Sequence, residues 1–156
     1  MVEFNFLQNG GFEDGDLRGW TLTDLAGADQ LYAEEKKTDS LNGAWHMHFW
    51  SARRSSVEFT LEQTVAGLES GRYRFTVSIM GGDAGEQEIY AYVKRGGEIA
   101  ATAPLTISSF GVWDTARIEE IEVAAGEELT VGVYVKCSGA GNGAWGKIDD
   151  AALNSK

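Results

Sequence analysis

Val57-Glu58-Phe59-Thr60-Leu61-Glu62-Gln63-Thr64-Val65 sets the fold class, because apolar and polar residues take turns along it. A period of two is the signature of a strand with one face in the core and the other in water. Tyr73-Arg74-Phe75-Thr76-Val77-Ser78-Ile79 repeats it, sending Tyr73, Phe75, Val77 and Ile79 inward and Arg72, Arg74, Thr76 and Ser78 outward. Glu88 to Lys94 buries Ile89, Ala91 and Val93 and shows Tyr90 and Tyr92 beside Glu88 and Lys94. Glu128 to Lys136 buries Leu129, Val131, Val133 and Val135 and shows Thr130, Gly132, Tyr134 and Lys136. Further strands are expected at Gln30–Ala33, Ala44–Trp50, Glu98–Leu105 and Val112–Val123, with a last one closing the chain over Ala144–Leu153. The N-terminal stretch Leu7–Gly15 reads as a short strand broken by a glycine pair, and Trp20 as a core ring at the start of the second strand. About ten short strands punctuated by turns predict an all-β sandwich of two antiparallel sheets.

The composition agrees. The 156 residues fit one domain with a real core, 43% of them are hydrophobic, and glycine (20) far outnumbers proline (1). No convincing amphipathic helix, internal repeat, linker or low-complexity tract interrupts the chain. A formal charge of -11 argues against nucleic acid and anionic membrane as partners, since phosphates would be repelled, and suits a neutral or cationic ligand. Cys137 is alone, so it cannot form an intrachain disulfide, and it reads as an inert residue on the outward side of a strand end. Neither a signal peptide nor a transmembrane run is visible, and Met1-Val2 looks like an arbitrary start.

Chemistry concentrates in Ala44-Trp45-His46-Met47-His48-Phe49-Trp50. As a strand it points Trp45, Met47 and Phe49 to the core and His46, His48 and Trp50 to the other side. A flat ring beside imidazoles suits a sugar, which offers a C–H face to stack and hydroxyls to orient. The plain alternative is a Trp50 half-buried under a loop beside ordinary surface histidines. The run Glu34-Glu35-Lys36-Lys37 reads as a solvated edge.

Two acidic spots lie at opposite ends of the sequence, Glu13 and Asp149-Asp150. Terminal strands of a sandwich commonly lie side by side, and carboxylates brought together repel unless a cation joins them. Oxygen ligands, including carbonyls of a glycine-broken strand at Gly10 and Gly11, suit calcium. The alternative is three solvated surface charges.

Asn9-Gly10-Gly11-Phe12-Glu13, Gly19-Trp20, Gln63-Thr64-Val65 with Gly67-Leu68, Gly71-Arg72-Tyr73-Arg74-Phe75 and Gly143-Ala144-Trp145-Gly146-Lys147-Ile148-Asp149-Asp150-Ala151-Ala152-Leu153 together resemble the galactose-binding-like jelly rolls of carbohydrate-binding modules, nearly end to end. The His-Phe-Trp-Ser of Ala44–Ser51 looks most like family 61, modules attached to bacterial endo-β-1,4-galactanases that bind β-1,4-galactan. Ala151 departs mildly from the valine usual after the Asp pair.

The resemblance implies one non-catalytic module over residues 1–156, monomeric, cut from a larger secreted glycoside hydrolase. It implies a structural calcium held by Glu13 and Asp149 or Asp150, with backbone carbonyls from Asn9 or Gly10 and from the loop Thr38–Gly43. The expected sugar contacts are Trp50 as stacking platform, His46, His48 and Arg74 as hydrogen-bonding groups, and Tyr90, Tyr92, Trp113 and Trp145 as further walls. Xylan and β-glucan stand as alternative ligands. A glycosidase is disfavoured because Glu88 has no obvious second acid on the expected sugar face. A zinc site at His46 and His48 would need Glu, Asp or Cys137 to complete its ligands.

Overall fold

A computed structural model describes residues 4–156. Met1-Val2, expected to be an arbitrary start, lies outside the described residues. Among the described residues the strands are β1 (Thr21–Asp24), β2 (Gln30–Glu35), β3 (Trp45–Trp50), β4 (Val57–Val65), β5 (Gly71–Gly82), β6 (Ala84–Arg95), β7 (Glu98–Leu105), β8 (Asp114–Val123), β9 (Leu129–Gly139) and β10 (Trp145–Ser155), with a 3-10 turn at Lys37–Asp39. They form two five-stranded antiparallel sheets, ordered β1-β4-β9-β6-β7 and β2-β3-β10-β5-β8.

The alternating residues build the core as expected. Phe59, Leu61, Val131, Val133 and Val135 from the first sheet meet Met47, Phe49, Phe75, Val77 and Ile148 from the second, all at most 1% exposed. Phe49 and Phe59 join the sheets edge-to-face, ring centroids 5.3 Å apart. Within the second sheet, β3 and β10 pack tightly around Phe49. A Cβ on Gly146, its register partner in β10, would lie 2.2 Å from Phe49 Cζ, so this position needs glycine.

Two local expectations fail. Residues 7–15 form no strand but a run of turns, with Asn9 and Phe12 in the left-handed region (φ 54° and 60°). The chain is kinked there so that Phe12 drops fully into the core and stacks on Trp20, centroids 5.5 Å apart. Cys137 faces the core rather than water, at 1% exposure, because it continues the inward series Val131, Val133, Val135. Burial pushes its thiol up to about 12, which keeps it inert.

Candidate functional site

The outer face of the second sheet is laid out in three rows by strand register. The first crosses Gln30, Trp50, Trp145 and Gly82; the second crosses Tyr32, His48, Lys147 and Met80. The third holds Glu34, paired with His46, and Asp149, paired with Ser78. Segment 36–43 folds over this last row: the Leu41 and Asn42 amides donate to Asp149 Oδ2 (2.9 and 3.1 Å), and Ser40 Oγ lies 2.8 Å from His46 Nδ1.

The histidines are therefore not exposed donors. His46 is 0% and His48 8% exposed, and all four ring nitrogens are engaged. His48 Nε2–H donates to Gln30 Oε1 (2.7 Å) while its Nδ1 accepts from the Lys147 ammonium (2.6 Å). Lys147 also donates to Glu34 Oε1 (2.7 Å), which accepts from His46 Nε2–H (2.8 Å). Burial pushes both imidazoles down, His48 to about 4 with Lys147 adding to the effect. Burial pushes Glu34 up, but hydrogen bonds from Lys147 and His46 outweigh it and hold the carboxyl below its ordinary value. Glu34 is thus the anion of a buried network, not part of a solvated edge. Its neighbours in sequence gave no sign of this, because the partner lysine lies more than a hundred residues away.

Glu34, His46 and His48 do bring ligand atoms within 4.8 Å of one another. The Lys147 ammonium occupies that cluster, however, with Asp39 Oδ2 a further 3.7 Å from it, and supplies the positive charge a zinc ion would. Cys137 cannot complete such a site, since it points into the core from β9 of the other sheet.

The first row is the open one. Trp50 and Trp145 are half-buried register neighbours, and the Trp50 indole N–H donates to the Asn142 carbonyl at 3.1 Å. Phe110, 60% exposed, lies 6.4 Å from Trp145, and Tyr32, 43% exposed, rests against the His48 ring at 5.0 Å. Trp113 is half-buried just before β8, whose first pairing is Asp114 with Ile79, so it stands at the same end of the sheet. Tyr32, Gln30 and Phe110 escaped the sequence reading; the exposed Tyr32 could have been found by extending the alternation of β2.

Three expected sugar contacts, two walls and one hydrogen-bonding group, lie elsewhere. Tyr90 and Tyr92 sit on β6 of the first sheet, across the sandwich, because β6 pairs with β7 and β9. Arg74 shares the outer face of β5 but pairs with Asn154, whereas Gly82 pairs with Trp145. Eight residues of strand, about 26 Å, separate it from the indoles, and it lies 4.0 Å from Glu119.

The expected cation ligands are partly brought together. Both oxygens of Glu13 accept backbone amides, from Ala44 (3.0 Å) and Trp45 (2.9 Å), tying the N-terminal turn to β3 through the residue after Gly43. Asp149 is fully buried, and burial raises it to about 6 against backbone hydrogen bonds from Asn42, Asp150 and Leu41. Gly11 lies between the two acids: a Cβ there would be 3.7 Å from Glu13 Cγ and 4.0 Å from Asp149 Oδ1. Asp150 is exposed, next to the bulge that follows Asp149. The Asn9 and Gly10 carbonyls accept from Phe12, Trp20 and Ala151. Among the described residues the three carboxylates do not converge within 4.8 Å of one another. Of the three acids, Glu13 and Asp149 border Gly11, while Asp150 is exposed.

Compared with known proteins, the chain is similar to the structure of TmCBM61 in complex with β-1,4-galactotriose, at 26% identity and a TM-score of 0.82, covering 98% of this chain and 99% of that one. The chain has the fold of the β-sandwich carbohydrate-binding modules. A family 4 module (10% identity, TM-score 0.62, 96% and 99% covered) shares the fold. So does a cyclase from Fischerella sp. TAU (17% identity, TM-score 0.69, 100% and 98% covered), and at that identity the likeness concerns the fold alone. No protein-family model and no curated protein matches the sequence.

Proposed function

We propose that the module binds β-1,4-galactan on the Trp50–Trp145 row, performs no chemistry itself, and serves to hold an attached secreted glycoside hydrolase, an endo-β-1,4-galactanase, on that polysaccharide as a monomer. The observation that carries the ligand is the end-to-end likeness to a module whose complex holds β-1,4-galactotriose. The physical support is the row itself. Two half-exposed indoles offer stacking faces for sugar rings. Beside them Gln30 Oε1 accepts from His48 and from the Tyr32 hydroxyl (3.3 Å), which turns the Gln30 amide N–H groups toward a ligand. A fixed donor is what distinguishes the axial O4 of galactose from an equatorial one, because a site built to bond a hydroxyl rejects the sugar that misdirects it. His48 and Lys147 act beneath this surface by holding Gln30 and Glu34.

Affinity electrophoresis against galactan, xylan, β-glucan and mannan tests the ligand. Retardation by galactan above the others is expected. Retardation by xylan or β-glucan without galactan would remove the galactan assignment and leave a module for another β-glycan.

A structural calcium is proposed at Glu13 and Asp149. Both acids flank Gly11 and both hold segment 41–45 through its amides, so an ion there would pin the two chain ends and that loop. Its contribution would be stability, tested by the chelator experiment in the Discussion.

A further inference from the structure

Three asparagines of the chain precede glycine, in Asn9-Gly10, Asn42-Gly43 and Asn142-Gly143. The last two open the same tetrapeptide, Asn-Gly-Ala-Trp, at 42–45 and at 142–145. An asparagine side-chain amide is open to attack by the backbone nitrogen of the following residue. Glycine leaves that nitrogen unshielded, because it carries no Cβ. Identical local sequence gives the two tetrapeptides the same intrinsic reactivity, so any difference between them comes from the fold.

The fold holds two of the three pairs. Asn9 Nδ2 donates to the carbonyls of Asp16 (2.9 Å) and Arg18 (3.0 Å), and its Oδ1 accepts the Asp14 amide (3.1 Å), so the side chain is locked. At Asn142 the nucleophile is occupied instead. Gly143 is buried and its N–H donates to the Ala140 carbonyl at 2.8 Å, while the Asn142 carbonyl accepts the Trp50 indole. A Cβ on Gly143 would lie 2.1 Å from the Ser51 carbonyl oxygen, so the packed backbone has little room to turn.

Asn42 and Gly43 are both exposed. The amides around them are engaged, those of Leu41 and Asn42 on Asp149 and those of Ala44 and Trp45 on Glu13. Among the described residues the Gly43 N–H has no partner, and neither has the Asn42 side chain. A free nucleophile thus stands next to a free amide, in a strap fixed at both ends.

We infer that Asn42 is a site of spontaneous deamidation, with the Gly43 nitrogen attacking Asn42 Cγ. The N–Cγ bond forms, the Cγ–Nδ2 bond breaks, and ammonia leaves with the Gly43 proton. Water then opens the cyclic imide at either carbonyl, leaving aspartate or isoaspartate at position 42. Both products add a negative charge to a segment that already faces Asp149 and Glu13. Isoaspartate also lengthens the backbone by a methylene, between the amides that grip Asp149 and those that grip Glu13. The two carboxylates then no longer keep all their partners, and segment 36–43 loosens over His46. The inference does not depend on the Trp50–Trp145 reading.

The test incubates the folded module in mildly alkaline buffer and follows each asparagine by mass-spectrometric peptide mapping, with the isoaspartyl form resolved. The same incubation in urea gives the unfolded reference. In urea Asn42 and Asn142 should convert at equal rates. In the folded protein Asn42 should convert at least about tenfold faster than Asn142, whose reaction also requires release of a buried hydrogen bond. The melting temperature should fall as Asn42 converts. Asn42→Gln, whose longer side chain closes a ring far more slowly, should hold its melting temperature over the same period. Asn142 or Asn9 converting as fast as Asn42 in the folded protein overturns the site, as does an Asn42 that converts only in urea. Converted protein that melts like fresh protein overturns the loosening of the strap.

Discussion

At the residue scale the decisive finding concerns His48. Alternation places it correctly on the face opposite Met47 and Phe49, yet it is covered, since the Tyr32 ring, Gln30 and Lys147 close over it from neighbouring strands, the last of them remote in sequence. Its depressed protonation has a consequence for pH. The unfolded chain takes a proton on this histidine near its ordinary 6.5, the folded one near 4. Its contribution to stability is therefore whole above about pH 6.5 and drains as the pH falls toward 4. His46, also pushed down by burial, acts with the same sign. Asp149 opposes them: raised to about 6, its folded form takes the proton first, so acidification from 6 toward 4 returns stability. The wild type should then lose little between pH 6.5 and 4.5. Asp149→Asn should lose more melting temperature over that range, and His48→Gln less. Thermal melts of the calcium-free protein at the two pH values check this; equal slopes in all three proteins would contradict the burial of His48.

At the scale of elements, strands with one face in water were legible: β4 and β7 run over the expected spans, β5 and β6 extend beyond theirs at both ends, and β9 and β10 start one residue later and run further at the C-terminal end. What alternation does not encode is which strands become neighbours. Tyr90 and Trp50 share an outward parity but belong to different sheets, a fact of pairing set by long-range packing. The N-terminal turns were illegible for another reason, since their left-handed residues are Asn9 and Phe12, the latter held there by its own burial. Trp45, expected to be a core ring, is only half-buried at the end of β3, against Gly15. The core of that strand is Phe49. Phe49→Ala should cost about 3–5 kcal/mol by emptying the sheet interface, and Gly146→Ala about 1–3 kcal/mol by driving a methyl into the same ring. Urea denaturation measures both, and a neutral Gly146→Ala would contradict the close approach of β10 to Phe49.

At the scale of the whole molecule, the chain ends meet through the second sheet's last strand: Phe6 N–H donates to the Leu153 carbonyl at 2.9 Å, and Asn5 bonds Ala151 and Leu153. Calcium on Glu13 and Asp149 would tighten this closure. Chelator should lower the melting temperature and added calcium restore it, by mass action on the folded state alone, and Glu13→Ala should reproduce the chelator's effect. A midpoint unmoved by chelator, with metal analysis showing the ion removed, would contradict the site.

The central claim is that the indole row of the second sheet holds the galactan chain. Isothermal titration with β-1,4-galactotriose measures this directly. Wild type should bind, and Trp50→Ala should weaken binding by at least about tenfold, the worth of roughly 1.4 kcal/mol of lost stacking, with its melting temperature close to wild type because the ring leaves an outer face rather than the core. Wild-type affinity retained in Trp50→Ala would contradict the account.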